Sequence, residues 1–146
     1  MCDLFVMGSS GTGKSYIATA LGYRVCQKGL KVLYANTSRL LGQLKATKGK
    51  GGILSELKKI ERTDMLIQDD FGLQPLDNGS RMHLMDIIED RYGKKSTLIT
   101  SQLPVKDRYD VIGKKTIAGA VMDRITHQAA RIELHGESLR KICGKK

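Results

Sequence analysis

The chain is 146 residues long and carries 25 Lys and Arg against 15 Asp and Glu, a formal net charge of +10. That length supports one domain with a core of its own and no need of a disulfide or metal staple. With 40% hydrophobic residues and 16 Gly the composition excludes a disordered chain, and 5% aromatics without Trp argue against a module that stacks single-stranded bases on aromatic platforms.

The elements alternate along the chain. Asp3–Met7 is a short apolar run that reads as a strand, and Gly8–Gly13 is a turn of Gly, Ser and Thr. Lys14–Lys28 places Ile17, Leu21 and Val25 on one helical face, and Gly29 stops it. Lys31–Ala35 is a strand. Ser38–Thr47 carries Leu40, Leu41 and Leu44 at helical spacing, with Thr37 or Ser38 as its cap. Lys48–Gly52 reads as a flexible basic loop and Ile53–Arg62 as helix again. Asp64–Asp69 is a buried type of strand, because its apolar residues run together without alternation.

Asp77–Tyr92 steps through Met82, Met85, Ile88 and Tyr92 as a helix, and Ser96–Ser101 is a strand. Val105–Gly113 reads as a turn or short helix, Thr116–Gln128 as a helix with Ile117, Val121 and Ile125 on one stripe, and Ala130–Leu134 as a last strand. This alternation predicts an α/β fold, a five-stranded parallel sheet sandwiched between helices. Ligands of such sheets bind at the carboxyl ends of the strands.

No run of about 18 apolar residues is present, so no membrane-spanning helix is expected. The start of the chain shows no basic stretch followed by an apolar one, so no signal peptide is readable. Cys2, Cys26 and Cys143 form no C-x-x-C pair, and His83, His127 and His135 complete no zinc pattern; free thiols and a cytoplasmic location are the expectation. The charge is segregated. Residues 24–62 hold ten basic and two acidic residues, residues 63–92 two basic and seven acidic, and residues 93–146 twelve basic and five acidic. An acidic centre between two basic flanks makes a polyanion a candidate partner.

One motif carries chemistry outright. Gly8-Ser9-Ser10-Gly11-Thr12-Gly13-Lys14-Ser15 fits Gly-x4-Gly-Lys-Ser/Thr with nothing missing, after a strand and opening a helix. The glycines let successive backbone N–H groups turn inward on phosphate oxygens, and the helix N-terminus adds its field. Lys14 is placed to reach the β- and γ-phosphates of a nucleoside triphosphate, and Ser15 to offer a hydroxyl to Mg2+. A second acidic element is then required. Met65-Leu66-Ile67-Gln68-Asp69-Asp70 supplies it, with Asp69 as the expected Mg2+ carboxylate acting through a water, and Asp70 facing the γ-phosphate as a base for the attacking water. Two acids here point to a hydrolysing NTPase over a metabolite kinase, and the extra strand Lys31–Ala35 between the two motifs suits the same branch.

The stretches GSSGTGKSYIATALG (8–22), LIQDDFGLQPLD (66–77), LITSQLPV (98–105) and MDRITHQAARIELHGESLRK (122–141) resemble the AAA+ ATPase domain of IstB-like proteins, ATP-binding helpers of an insertion-sequence transposase. DnaC-type helicase loaders are similar more distantly. The resemblance runs from Leu4 to Lys141. It implies ATP and Mg2+ as ligands and one AAA+ core over residues 1–146, with the family's N-terminal segment missing and the helical lid reduced or absent.

Further roles come with the resemblance alone. Thr100, with Ser101 and Gln102 beside it, falls at the sensor position. Arg124 matches an arginine finger acting on ATP bound to a neighbouring subunit, and Arg140 matches a second arginine near the nucleotide. Asp70 stands where the general pattern has Glu, one methylene longer, so slow hydrolysis is expected. Lys45, Lys48, Lys50, Lys58 and Lys59 lie in the region where the family binds DNA, and would contact phosphates of duplex DNA without reading sequence. The implied partners are DNA, a transposase and further copies of the chain holding nucleotide between them. The alternatives are a helicase loader acting on a replicative helicase, and an ATP-gated DNA-binding module with negligible turnover.

Overall fold

The computed structural model describes residues 3–8, 11–47, 50–71, 77–102 and 129–135, with backbone alone at Lys50, Asn78 and Ala129. Five parallel strands form one sheet: β1 (Asp3–Gly8), β2 (Val32–Asn36), β3 (Met65–Phe71), β4 (Ser96–Ser101) and β5 (Ala129–Leu134), in the order β2-β3-β4-β1-β5. The described helices are α1 (Lys14–Gln27), α2 (Thr37–Ala46), α3 (Lys50–Arg62) and α4 (Asn78–Arg91). The expected parallel α/β sheet is present. The helix read over Thr116–Gln128 and the turn over Val105–Gly113 lie outside the described residues.

The apolar runs of β1 and β3 follow from burial on both faces. On one face Phe5, Met7, Leu66, Phe71 and Ile99 pack with Leu40, Leu41 and Leu44 of α2, Ile60 of α3, and Leu84, Ile87 and Ile88 of α4. On the other face Val6, Met65, Ile67 and Leu98 pack against Ala18 of α1, with Leu21 and Val25 half-buried beside them. So α1 covers one side of the sheet and α2–α4 the other.

Three local expectations change. The cap of α2 is Asn36, whose Oδ1 accepts the Arg39 N–H at 3.2 Å, and not Thr37 or Ser38. The break after α2 is Thr47 alone among the described residues, because α3 already runs through Lys50, Gly51 and Gly52. Two glycines cost that first turn helix propensity, and the packing of Leu57 and Ile60 on the core outweighs the cost. On α4 the buried stripe is Leu84, Ile87 and Ile88; Met82 faces solvent, the branched side chains having taken the core.

Strand order sets the neighbours of the acidic strand. β2 lies between the two motifs in sequence but sits at the sheet edge, paired to β3. The strand physically inserted between β1 and β3 is β4, in register Leu4↔Leu98 on one side and Ile67↔Leu98 on the other. All carboxyl ends share one edge of the sheet, and the loop after β1 opens there. That edge gathers Asn36, Asp69, Asp70 and Thr100 around the start of α1.

Candidate functional site

The loop between β1 and α1 is built for close approach. Gly11 and Gly13 have φ of 79° and 98°, the left-handed region that an L side chain resists. Gly13 is the N-cap of α1 and brings no side chain to the first-turn N–H groups. That turn is the positive end of a 14-residue helix, where an anion is favoured. A Cβ on Gly8 would stand 2.6 Å from Thr12 Oγ1 and 3.0 Å from the carbonyl oxygen of its β5 partner Leu134, so the loop folds back over the end of β1. Lys14 is only 5% exposed, its stem drawn into the loop. Gly8, Gly11, Thr12, Gly13, Lys14 and Ser15 are thus brought together; Ser9 and Ser10 lie outside the described residues.

Asp69 closes the continuous buried run of β3 that starts at Met65 and is 6% exposed. Its Oδ2 accepts the Ser15 hydroxyl at 2.9 Å, across 54 residues of sequence, which joins the glycine loop to the acidic strand. The same oxygen accepts the Tyr34 phenol from β2. Oδ1 accepts the Thr100 hydroxyl from β4 and, at 3.1 Å, the Asp70 N–H. Burial alone would raise the Asp69 pKa, but the donors Thr100, Tyr34, Ser15 and the Asp70 N–H outweigh it and hold the carboxyl below its ordinary 3.8. Asp69 is therefore an anion at neutral pH. Partial burial and the neighbouring Asp69 carboxylate push the Tyr34 phenol up to about 12, so it stays a donor.

Asp70 has φ of 56°, the one non-glycine residue at positive φ among those described. The pairing of β3 with β4 shifts register between Gln68 and Phe71 at this point. Such an irregularity re-aims a side chain at the end of a strand, and a left-handed Asp there is strain stored at the site. The Asp70 carboxylate receives Asn36 Nδ2 at 3.3 Å, and its N–H reaches Thr100 Oγ1 at 3.0 Å. Thr100 is fully buried and touches both acids' residues, whereas Ser101 Oγ donates to the Phe71 carbonyl and Gln102 is exposed. Of the three polar residues at the sensor position, Thr100 is the one at the site.

Three contributors were missed. Tyr34 and Asn36 alternate along β2 and reach the two acids, and Thr37 Oγ1 holds the Asp69 carbonyl oxygen at 3.0 Å. The signal was available as polar side chains at the carboxyl end of a strand that neighbours the acidic one.

The oxygens of Ser15 and Asp69 are hard ligands of the kind Mg2+ prefers, and they converge at the mouth of the phosphate loop. Among the described residues no group of three His, Cys, Asp or Glu could hold a metal alone.

The candidate DNA lysines sit elsewhere, on the α2–α3 side of the sheet. Lys45 pairs with Asp77 and Lys59 with Glu56 at 3.3 Å, both on the surface, while Lys58 is exposed. Lys48, the Lys50 side chain, Arg124 and Arg140 lie outside what is described.

Residues 2–146 match the family described as IstB-like ATP binding protein. The chain belongs to this family. It is 45% identical over 139 residues to the insertion sequence ATP-binding protein y4pL of Sinorhizobium fredii, covering 95% of this chain and 57% of that one. The chain thus spans a little over half the length of this family relative. Among solved structures it resembles DnaI (TM-score 0.82, 23% identity, 92% of this chain and 74% of that one) and the DnaC helicase loader (TM-score 0.78, 26% identity, 92% and 78%). The fold, a five-stranded parallel sheet between helices, is that of an AAA+ P-loop protein. No described helix is long and apolar enough to cross a membrane.

Proposed function

We propose that the chain is an ATPase core that binds ATP with Mg2+, hydrolyses it slowly and grips duplex DNA in support of a transposase. The observation that carries this is the Ser15–Asp69 hydrogen bond of 2.9 Å. It sets the phosphate loop, the metal carboxylate and, one residue on, a second acid within one polar cluster.

In this reading the N–H groups of residues 8–15 and the Lys14 ammonium hold the phosphates. Ser15 and Asp69 would hold Mg2+, which when bound neutralises charge on the β- and γ-phosphates. Asp70 accepts the proton of the attacking water as the water oxygen bonds to the γ-phosphorus and the bond to ADP breaks. Thr100 fixes the Asp69 carboxylate and the Asp70 backbone together. Asp70 is one methylene shorter than Glu, which accounts for slow turnover. Arg124 and Arg140 are proposed to act on nucleotide at a subunit boundary, and Lys45, Lys48, Lys50, Lys58 and Lys59 on DNA phosphates. The Lys45–Asp77 and Lys59–Glu56 pairs are exposed and weak, so each lysine is available to a phosphate at small cost.

Membership of the IstB-like family supports a transposase as the partner. The likeness to the DnaC helicase loader supports a replicative helicase as the second reading. DNA binding measured at several salt concentrations with ATP, with ADP and without nucleotide tests the proposal. Affinity that falls steeply with salt and is highest with ATP supports it; affinity that ignores the nucleotide breaks the coupling.

A further inference from the structure

The Asp69 carboxylate is saturated by the chain itself. A carboxylate offers about four acceptor directions, two on each oxygen. Oδ1 takes the Thr100 hydroxyl and the Asp70 N–H, and Oδ2 takes the Ser15 hydroxyl and the Tyr34 phenol. No direction remains for a water carried by a cation. One donor must leave before such a water can be accepted.

The four donors differ in how readily they leave. Thr100 is fully buried on a central strand. The Asp70 N–H is backbone within β3. Ser15 need not leave, because its hydroxyl has a lone pair to turn toward a cation while its proton stays on Asp69. Tyr34 stands apart from these. It lies on the edge strand β2 and is 45% exposed, with two side-chain torsions that let the ring swing outward.

We propose that the Tyr34 phenol is a displaceable place-holder for a metal-bound water at Asp69. It donates to Oδ2 in this structure and would yield that oxygen to Mg2+-nucleotide. This rests on the reading of the site as one for Mg2+ and nucleotide. Tyr34 is a positioning residue under this account: it keeps the carboxylate aimed at the loop and sets a threshold for metal. Entry of metal then costs a hydrogen bond to a charged group. Tyr34→Phe removes that cost and keeps the ring.

The test compares the parent and Tyr34→Phe in binding a non-hydrolysable ATP analogue, with Mg2+ and with a chelator, by calorimetry. The expected result is equal affinity in chelator and about tenfold tighter binding by Tyr34→Phe with Mg2+, from the strength of a charge-assisted hydrogen bond. Thermal unfolding supplies a second reading: Tyr34→Phe should melt lower than the parent without ligand, and the gap should close with Mg2+ and analogue. A structural tyrosine would instead weaken binding in both conditions. Equal or weaker Mg2+-dependent affinity in Tyr34→Phe, with the parent showing a clear metal dependence, overturns the place-holder alone. A parent that binds equally with and without Mg2+ overturns the metal–nucleotide reading and this proposal with it.

Discussion

Both ends of the sheet bury a charged side chain inside a web of hydrogen bonds, and the two webs are made of different material. At the amino-terminal edge Arg91 is 1% exposed, its guanidinium donating to the carbonyls of Ile60 and Thr63 at 2.7 Å each, to the Ser96 carbonyl, and to Thr97 Oγ1 at 3.1 Å. Burial lowers its pKa to about 10, with Asp3 and Asp64 pulling the other way, and it remains a cation. At the carboxyl-terminal edge Asp69 is held mostly by the hydroxyls of Ser15, Tyr34 and Thr100. Backbone carbonyls of strands and helix ends cannot turn away, whereas hydroxyls rotate. The Arg91 end therefore fastens α3, α4, β3 and β4 permanently, and the Asp69 end is held in a form that a ligand can rearrange.

If this contrast is right, substitutions at the two ends fail in different ways. Arg91→Ala should be the most damaging to stability, by about 3 kcal/mol or more, because several buried carbonyls lose their donor at once. Urea unfolding measures it, and a loss under about 1 kcal/mol would remove the distinction. Lys14→Met should do the reverse. The apolar chain fills the stem's space, so unfolding should move far less than in Arg91→Ala. Nucleotide affinity should fall by about a hundredfold, worth about 2.7 kcal/mol, measured by calorimetry.

Asn36 sharpens the comparison with a smaller effect. Its amide oxygen caps α2 while its amide nitrogen holds Asp70, so one side chain serves both stability and the site. Asn36→Ala should cost about 1 kcal/mol in unfolding, and Asn36→Ser should recover most of that because Ser caps as well as Asn and sets no second anion against Asp70. Equal loss in both variants would mean that the cap is not what Asn36 contributes to stability.

The sheet was legible because parallel strands buried on both faces leave unbroken apolar runs such as MLI at 65–67. The phosphate loop was legible because its glycines are spaced by the backbone turn they make. What escaped the sequence was anything set by lateral neighbours. Tyr34 and Asn36 reach the acids only because β2 pairs with β3, a fact about strand order that spacing does not contain. The left-handed backbone of Asp70 is likewise a property of the mismatch with β4. Gly51 and Gly52 read as loop by propensity and became helix through the burial of Ile60. The α4 stripe was rotated because two apolar faces competed, and the choice between them lay with the core.

The account's central claim is that the two adjacent acids divide the work, Asp69 anchored to the loop by Ser15 and Asp70 serving the water. Phosphate release under saturating ATP and Mg2+, compared between the parent and Asp70→Asn alongside their nucleotide affinities, tests it most directly. Release should drop by about a hundredfold or more in Asp70→Asn, in the range expected for removing a general base, while nucleotide affinity stays within a few-fold. Equal release by the two proteins, with the parent turning over above background, would contradict it.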